Sequence, residues 1–97
     1  MQQPPFDISP RALEEVRAIM ERKAVPAGYA LRVGIRGTAG CAGVSYLIGF
    51  DKPQPTDLEF TLEGIPVLLD KKHALYLAGV RVNWVDREAE RGFVFEK

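Results

Sequence analysis

The sequence predicts an α+β domain in which β-structure predominates. Three observations predict this class: one stretch near the N-terminus has helical spacing, most of the later chain alternates apolar and polar residues, and a second helical stretch spans only about two turns. At 97 residues and 46% hydrophobic content, the chain can build one compact core and is too short for two. We therefore expect residues 1–97 to form a single domain.

The N-terminal helix is predicted from residue 9 to about residue 23. Ser9 is a suitable N-cap, and Pro10 occupies the first helical position, where its missing N–H costs nothing. Pro26 and Gly28 then end the helix. Its apolar face repeats at spacings of three and four residues through Leu13, Val16, Ile19 and Met20.

After this helix the period changes to two, which predicts a series of short strands. Glu63 and Gly64 are suited to the tight turn of a hairpin, and Pro66 suggests an edge position or a bulge in the strand that follows. The predicted strands cover residues 29–36, 44–50, 58–62, 65–69, 80–84 and 92–96.

One short internal helix interrupts the strands. Asp70 can cap a helix over residues 71–78, and Gly79 can end it in the left-handed conformation that favours glycine. The pattern of one long helix, one short helix and several strands supports the mostly β reading.

The composition excludes several classes of partner. Thirteen basic and thirteen acidic side chains give a formal charge of zero, so the field that attracts nucleic acid or anionic lipid is missing. Cys41 is the single cysteine, which excludes an intramolecular disulfide and indicates a reducing compartment. No signal peptide or membrane-spanning stretch is recognisable. We expect a cytoplasmic protein that binds neither nucleic acid nor membranes.

The informative segment is Gly40-Cys41-Ala42-Gly43, which lies between two predicted strands. Glycine neighbours leave a thiol accessible, and the thiolate is the form of cysteine that binds soft metals. A second interpretation is that Cys41 is a small apolar residue that fills space at the end of a strand. The residues alone favour neither this interpretation nor that of a metal-binding thiol.

Other polar and aromatic residues are interpreted without a functional role. His73 lies beside Lys71 and Lys72 and is expected to be a solvated surface residue rather than a metal ligand. Tyr46 and Trp84 fit packing at alternate strand positions. No phosphate-binding loop and no nucleophile with a neighbouring base is apparent, so we do not expect an enzyme.

Two motifs carry a family resemblance. A strand ending in Arg36 precedes the Gly-Cys-x-Gly segment, and the chain closes with Gly92-Phe93-Val94-Phe95, fifty-two residues from Cys41 to Phe93. In this order and spacing the sequence resembles the HesB/IscA-like, or A-type, iron–sulfur cluster assembly family, and the similarity extends over nearly the whole chain.

The resemblance implies a twisted β-sandwich that forms a dimer or tetramer. It also implies binding of iron or an iron–sulfur cluster, and delivery of that cargo to apo-proteins in contact with the assembly machinery. Cys41 corresponds to one of the three cysteine ligands of the family. The other two belong to a Cys-Gly-Cys segment beyond the closing strand, and this sequence ends at Lys97 without one.

One thiolate per chain cannot complete a cluster site, whereas a symmetric dimer offers two. The first hypothesis is therefore a scaffold or carrier in which Cys41 is the cofactor-binding and metal-binding residue, shared across a dimer and completed by exogenous thiol. The alternative is a metal-free interaction module of the same fold that binds assembly partners or apo-targets. A third hypothesis is a redox-responsive thiol.

Overall fold

The computed structural model describes residues 3–36 and 45–97. The Gly-Cys-x-Gly segment lies outside these residues. The helical elements are α1 (Pro10–Arg22), a 3-10 turn (Lys71–His73) and α2 (Ala74–Leu77). The strands are β1 (Asp7–Ile8), β2 (Ala30–Arg36), β3 (Ser45–Asp51), β4 (Asp57–Leu62), β5 (Ile65–Asp70), β6 (Arg81–Asp86) and β7 (Arg91–Glu96).

The strands form two mixed sheets. The larger sheet has the order β3-β2-β5-β4, with β2 and β5 parallel and the other neighbours antiparallel. The smaller sheet has the order β1-β6-β7, with β1 parallel to β6. This arrangement confirms the predicted mostly β, α+β class with an N-terminal helix and a short internal helix.

One apolar core joins both sheets and α1. Helix α1 contributes Leu13 and Val16, and it packs against β6. The largest side chains that are fully buried come from both sheets, both helices and the residue before β6: Leu31, Leu68, Leu69, Leu77, Val16, Val33, Val67, Val80 and Val82. Alternate residues of β2 and β5 lie in this core, as the period-two pattern predicted.

The predicted start of α1 is confirmed in detail. The Ser9 Oγ accepts a hydrogen bond from the Ala12 backbone N–H at 3.1 Å, and Pro10 occupies the first turn. The same hydroxyl donates to the Asn83 Oδ1 at 2.8 Å. The helix cap is therefore also an attachment to β6.

Strand β1 was not predicted from the sequence. The Asp7 N–H donates to the Val80 carbonyl at 2.8 Å, and the Ser9 N–H donates to the Val82 carbonyl at 2.9 Å. Ile8 is buried. A two-residue strand is too short to show a period, so its position depends on β6 rather than on a local pattern.

The predicted hairpin turn is confirmed, since Glu63 and Gly64 both have left-handed backbone angles, with φ of 48° and 84°. Strand β5 is an interior strand between β2 and β4, but Pro66 has a ladder partner only on β4, which agrees with the edge position suggested for this residue. The ladder with β2 begins only at Val67. Pro66 precedes it, so its missing N–H removes no bond to β2.

The second helix is shorter than predicted. Residues 71–78 were expected to form one helix, but the structure has a 3-10 turn followed by the four-residue α2. The Asp70 carboxylate accepts from the Lys72 N–H at 3.1 Å, as predicted for a cap. Gly79 has a φ of 79° and ends the segment.

The connection from β3 to β4, residues 52–56, is here called the crossover loop. Because β3 and β4 form opposite edges of the larger sheet, this loop must pass over β2 and β5. The Arg32 side chain, on the face of β2 opposite Leu31 and Val33, donates to the Lys52 carbonyl at 3.2 Å. This hydrogen bond connects the crossover loop to β2, an interior strand of the sheet.

Within the described residues, no helix has the length and apolar character needed to cross a membrane.

Candidate functional site

The candidate site is the segment that joins β2 to β3. Cys41, predicted to be its functional residue, lies outside the described residues, so its role stays a prediction. The two strands that hold the segment are described. They pair in antiparallel register from Ala30 opposite Asp51 to Arg36 opposite Ser45. Cα atoms of such partners lie roughly 5 Å apart, so the sheet holds both ends of the segment together.

Strand β2 is a firm base for this segment, since it lies inside the sheet with β3 on one side and β5 on the other. Leu31, Val33 and Ile35 are buried in the core. Strand β3 is an edge strand, and its inward side chains Tyr46, Ile48 and Phe50 are half-buried against that core. The segment therefore joins one interior strand to one partly exposed strand.

Tyr46 and Trp84 were expected to serve in packing, and the structure places both in aromatic pairs. The Tyr46 ring stacks on Phe95 with centroids 4.8 Å apart, which connects the edge strands of the two sheets. The Trp84 ring meets Phe93 edge-on at 4.9 Å. Offset and edge-to-face contacts of this kind are typical of core aromatics. Phe93 and Phe95 are the aromatic residues of the closing motif.

His73 was expected to be a solvated surface residue, and the structure differs from this expectation. Its side chain is half-buried against β2, where its Nδ1 accepts from the Ile35 backbone N–H at 3.4 Å. A Cβ added to Gly34 would lie 2.9 Å from the same nitrogen. His73 is therefore placed at the end of β2 from which the Cys41 segment leaves. No sequence signal connects two positions that are 38 residues apart.

An ion cluster fixes the opposite end of β3. The Arg32 guanidinium donates to both Asp57 carboxylate oxygens, at 2.7 and 2.6 Å, and to Asp51 at 3.0 Å. The Asp57 side chain is 0% exposed and Arg32 is 17% exposed. Arg32 and Asp57 are 25 positions apart, and no pattern in the sequence indicates their pairing.

The hydrogen bonds from Arg32 hold the pKa of the Asp57 carboxyl below its usual range, opposed by burial and aided by the Gln54 backbone N–H. In turn, the hydrogen bond to Asp57 raises the pKa of Arg32, with burial acting against it. The cluster is thus charged on both sides throughout the physiological range. Its contacts are all internal, which indicates a structural role.

Acid should weaken the protein through Asp57. Its folded-state pKa is lowered, so the stability it supplies is complete above the pKa of an unfolded aspartate, near 4, and is lost as pH falls through the folded-state pKa. In that interval we expect Asp57 to contribute a decline of up to about 1.4 kcal/mol per pH unit in the free energy of unfolding. Urea unfolding measured from about pH 6 to about pH 3 tests this.

The matched variants separate Asp57 from the other carboxylates. Asp57→Asn should make the acid dependence visibly shallower, whereas Asp51→Asn, at a carboxylate whose side chain is 51% exposed, should preserve the decline. Equal slopes in the wild type and Asp57→Asn would contradict the assignment.

A groove of about 530 Å³ lies away from the candidate site. It includes Tyr29 and Ala30 at the start of β2, roughly 20 Å along that strand from the Cys41 segment. Pro53, Pro66 and Leu68 supply apolar walls, and its lining contains no thiol or imidazole. The part of the chain that the structure describes also contains no group of three or more His, Cys, Asp and Glu side chains suited to a metal.

Comparison with known proteins identifies the fold's relatives. No family model matches the chain. The iron-binding protein IscA of Cronobacter sakazakii is 39% identical over 69 residues, which span 70% of this chain and 64% of that protein. IscA proteins of Escherichia coli are 38% identical over the same length. The chain spans less than two thirds of the length of these IscA proteins, and over that part it is similar to the HesB/IscA-like family.

Solved structures show the HesB/IscA-like fold directly. The crystal structure of Escherichia coli SufA, a protein involved in biosynthesis of iron–sulfur clusters, superposes with a TM-score of 0.78 at 24% identity, covering 94% of this chain and 78% of SufA. A crystal structure of IscA with a [2Fe-2S] cluster gives a TM-score of 0.71 at 22% identity, covering 94% and 80%. The β-sandwich predicted from the resemblance is therefore confirmed.

Proposed function

We propose that this HesB/IscA-like chain is a scaffold or carrier of iron or iron–sulfur clusters, with Cys41 as its thiolate ligand, and that it delivers its cargo to apo-proteins. The observation that carries the proposal is the glycine-flanked Cys41 on the β2–β3 connection of a chain 39% identical to an iron-binding protein. A thiolate suits iron and iron–sulfur clusters, and the flanking glycines leave it room.

The donor count supports a shared site. Each chain offers one thiol, and the described residues add no further cluster of metal-binding side chains. Two chains related by a two-fold axis supply two thiolates, and glutathione or cysteines of the recipient protein complete the coordination. The half-buried apolar side chains of edge strand β3 leave surface available for a second copy. We infer a homo-oligomer, a dimer or a tetramer, that holds cargo transiently.

The role is transfer rather than catalysis. A loosely held cluster is suited to being passed to assembly partners and apo-proteins. We place this activity in the cytoplasm, where an unpaired thiol stays reduced.

Reconstitution tests the proposal. Anaerobic incubation of the protein with ferrous iron, sulfide and glutathione should yield a coloured species with thiolate-to-iron absorption, at a stoichiometry of one cluster for two chains. Cys41→Ser should lose essentially all of this colour, because the chain has no second thiol. Ser45→Ala is the matched control, since it removes a hydroxyl from the end of β3 beside the same segment and should load like the wild type.

Two outcomes would redirect the interpretation. A wild type that stays colourless while folded, as judged by circular dichroism, would overturn cargo binding. Capture of iron–sulfur assembly proteins by both the wild type and Cys41→Ser would then support the alternative of a metal-free interaction module.

A further inference from the structure

Strand β4 forms an edge of the larger sheet, and part of its backbone faces outward. The Lys71 N–H donates to the Thr56 carbonyl at 3.1 Å, which continues the ladder between β4 and β5 by one pair. Hydrogen-bonded pairs alternate along an antiparallel ladder, so the backbone groups of Glu59 and Thr61 point away from β5. Within residues 3–36 and 45–97, no strand lies on that side of β4. The N–H and carbonyl of both residues are therefore available to an added strand.

The groove of about 530 Å³ lies on the sheet face that the crossover loop crosses. Glu59 pairs with Leu68, and Leu68 pairs with Arg32, so the three side chains share this face. Among the described residues that line the groove, Glu59 is the only one with a charged side chain. Its carboxylate forms no ion pair in that part of the chain. An acidic group thus lies where the groove meets the free edge.

The walls of the groove suit the side chain of a lysine or an arginine. Pro53 and Pro66 offer apolar surface to the methylene groups of such a side chain. Tyr29 belongs to the same lining, and the Lys52 Nζ lies 5.6 Å from the centroid of its ring, a distance at which an aromatic ring attracts a cation. A carboxylate, an aromatic ring and apolar walls together favour a basic side chain as the occupant.

The core-facing side of β4 is apolar and incompletely covered. Leu58 and Leu62 pack against the core but are only half-buried, whereas Phe60 between them is 8% exposed. An added strand would cover both leucines with apolar side chains of its own. The edge therefore favours an extended segment in which apolar residues alternate with basic or polar ones.

A second copy of β4 fits this edge less well. In a two-fold antiparallel pairing, the central residue faces its own counterpart, and its neighbours face each other in reverse order. Centring the pairing at residue 58, 59, 60 or 61 sets two acidic side chains opposite each other, drawn from Asp57, Glu59 and Glu63. Like charges directly opposite each other destabilise a ladder. Charge complementarity therefore favours a basic partner over a second copy.

We propose that β4 binds an extended segment of a partner protein as an added antiparallel strand, with a lysine or arginine of that segment directly opposite Glu59. Antiparallel pairing is the more stable arrangement per residue. The backbone of the segment pairs with Glu59 and Thr61, its basic side chain enters the groove, and its apolar neighbours cover Leu58 and Leu62. Strand β4 and the Cys41-bearing connection of β3 lie at opposite edges of the sheet, so the inference does not depend on cargo binding.

The probe is the fluorescently labelled peptide Val-Thr-Val-Lys-Val-Thr-Val, and its binding to the full-length, metal-free protein is measured by fluorescence anisotropy. Opposite Glu59 in an antiparallel pair, the lysine N–H donates to the Glu59 carbonyl, whereas the N–H groups of the adjacent valines point away. N-methylation of the lysine should therefore weaken binding by at least about tenfold, and N-methylation of the next valine should change it by less than about twofold. Equal effects of the two methyl groups would overturn strand addition.

A charge exchange tests the role of Glu59. Glu59→Gln should weaken binding of the lysine peptide by roughly two- to fivefold, the range of an exposed ion pair. Glu59→Lys should prefer a peptide with glutamate at the central position, which reverses the preference of the wild type. Glu14→Gln makes the same change of charge at an exposed position of α1 and should bind as the wild type does. An unchanged preference in Glu59→Lys would overturn the proposal.

Two further measurements separate this inference from other interpretations. Each variant is first shown to be folded by circular dichroism. Cys41→Ser should bind the peptide like the wild type, so a protein that binds the peptide but stays colourless on reconstitution would remove the proposed function and leave this inference in place. Self-association that strengthens in Glu59→Gln, without peptide binding, would assign the edge to a second copy and overturn the proposal.

Discussion

Replacing Leu77 with alanine is expected to lower the free energy of unfolding by about 3 kcal/mol. Leu77 is 0% exposed and is the buried residue of α2, which has only four residues. A helix this short has no stability of its own, so its position depends on this one side chain. Urea unfolding monitored by circular dichroism measures the loss.

Leu75 provides the control within the same helix. Its side chain is 83% exposed, so Leu75→Ala should change the free energy of unfolding by less than about 0.5 kcal/mol. Similar losses in both variants would show that α2 is not docked as described. Because His73 directly precedes α2, Leu77→Ala should also weaken the protection of the Ile35 amide.

Asp57→Ala is expected to cost about 3 kcal/mol of stability, since it leaves the partly buried Arg32 guanidinium without its main partner. It also removes the acceptor for the Gln54 N–H at 2.7 Å, so the crossover loop loses an attachment. Thermal and urea unfolding should both show the loss, together with faster proteolysis within residues 52–56.

An exposed ion pair serves as the comparison. Asp7 and Arg81 form a salt bridge in which the side chains are 64% and 48% exposed, so Asp7→Ala should cost less than about 1 kcal/mol. The double variant Arg32→Met, Asp57→Ala should recover part of the loss, because the charge left unpaired is then that of Asp51, whose side chain is 51% exposed, and not the partly buried guanidinium. A double variant less stable than Asp57→Ala would contradict this account.

Local patterns in the sequence predicted the local structure well. The cap at Ser9, the left-handed turn at Glu63 and Gly64, and the end of the second helix at Gly79 all agree with the structure. Each of these features depends on backbone preferences of residues within one turn of one another. The buried faces of the strands were also predicted, because they follow from the alternation of apolar and polar residues along each strand.

Features that depend on strand order could not be predicted. Strand β1 forms through partners on β6, and β5 is an interior strand between β2 and β4. Within the candidate region, the role of Cys41 stays a prediction. Sequence reasoning missed the contact between His73 and Ile35, because only the parallel pairing of β2 with β5 brings the 3-10 turn there. The family resemblance gave the fold without these side-chain contacts.

The crossover loop has a consequence for the order of folding. Strands β2 and β3 are neighbours in sequence. The pairing of β2 with β5, by contrast, joins residues that are more than thirty positions apart. Pairings between distant segments form slowly because a long stretch of chain has to be closed first. In a nascent chain, β2 and β3 would therefore pair early. The sheet around them would be complete only after β5 has been synthesised and has paired with β2.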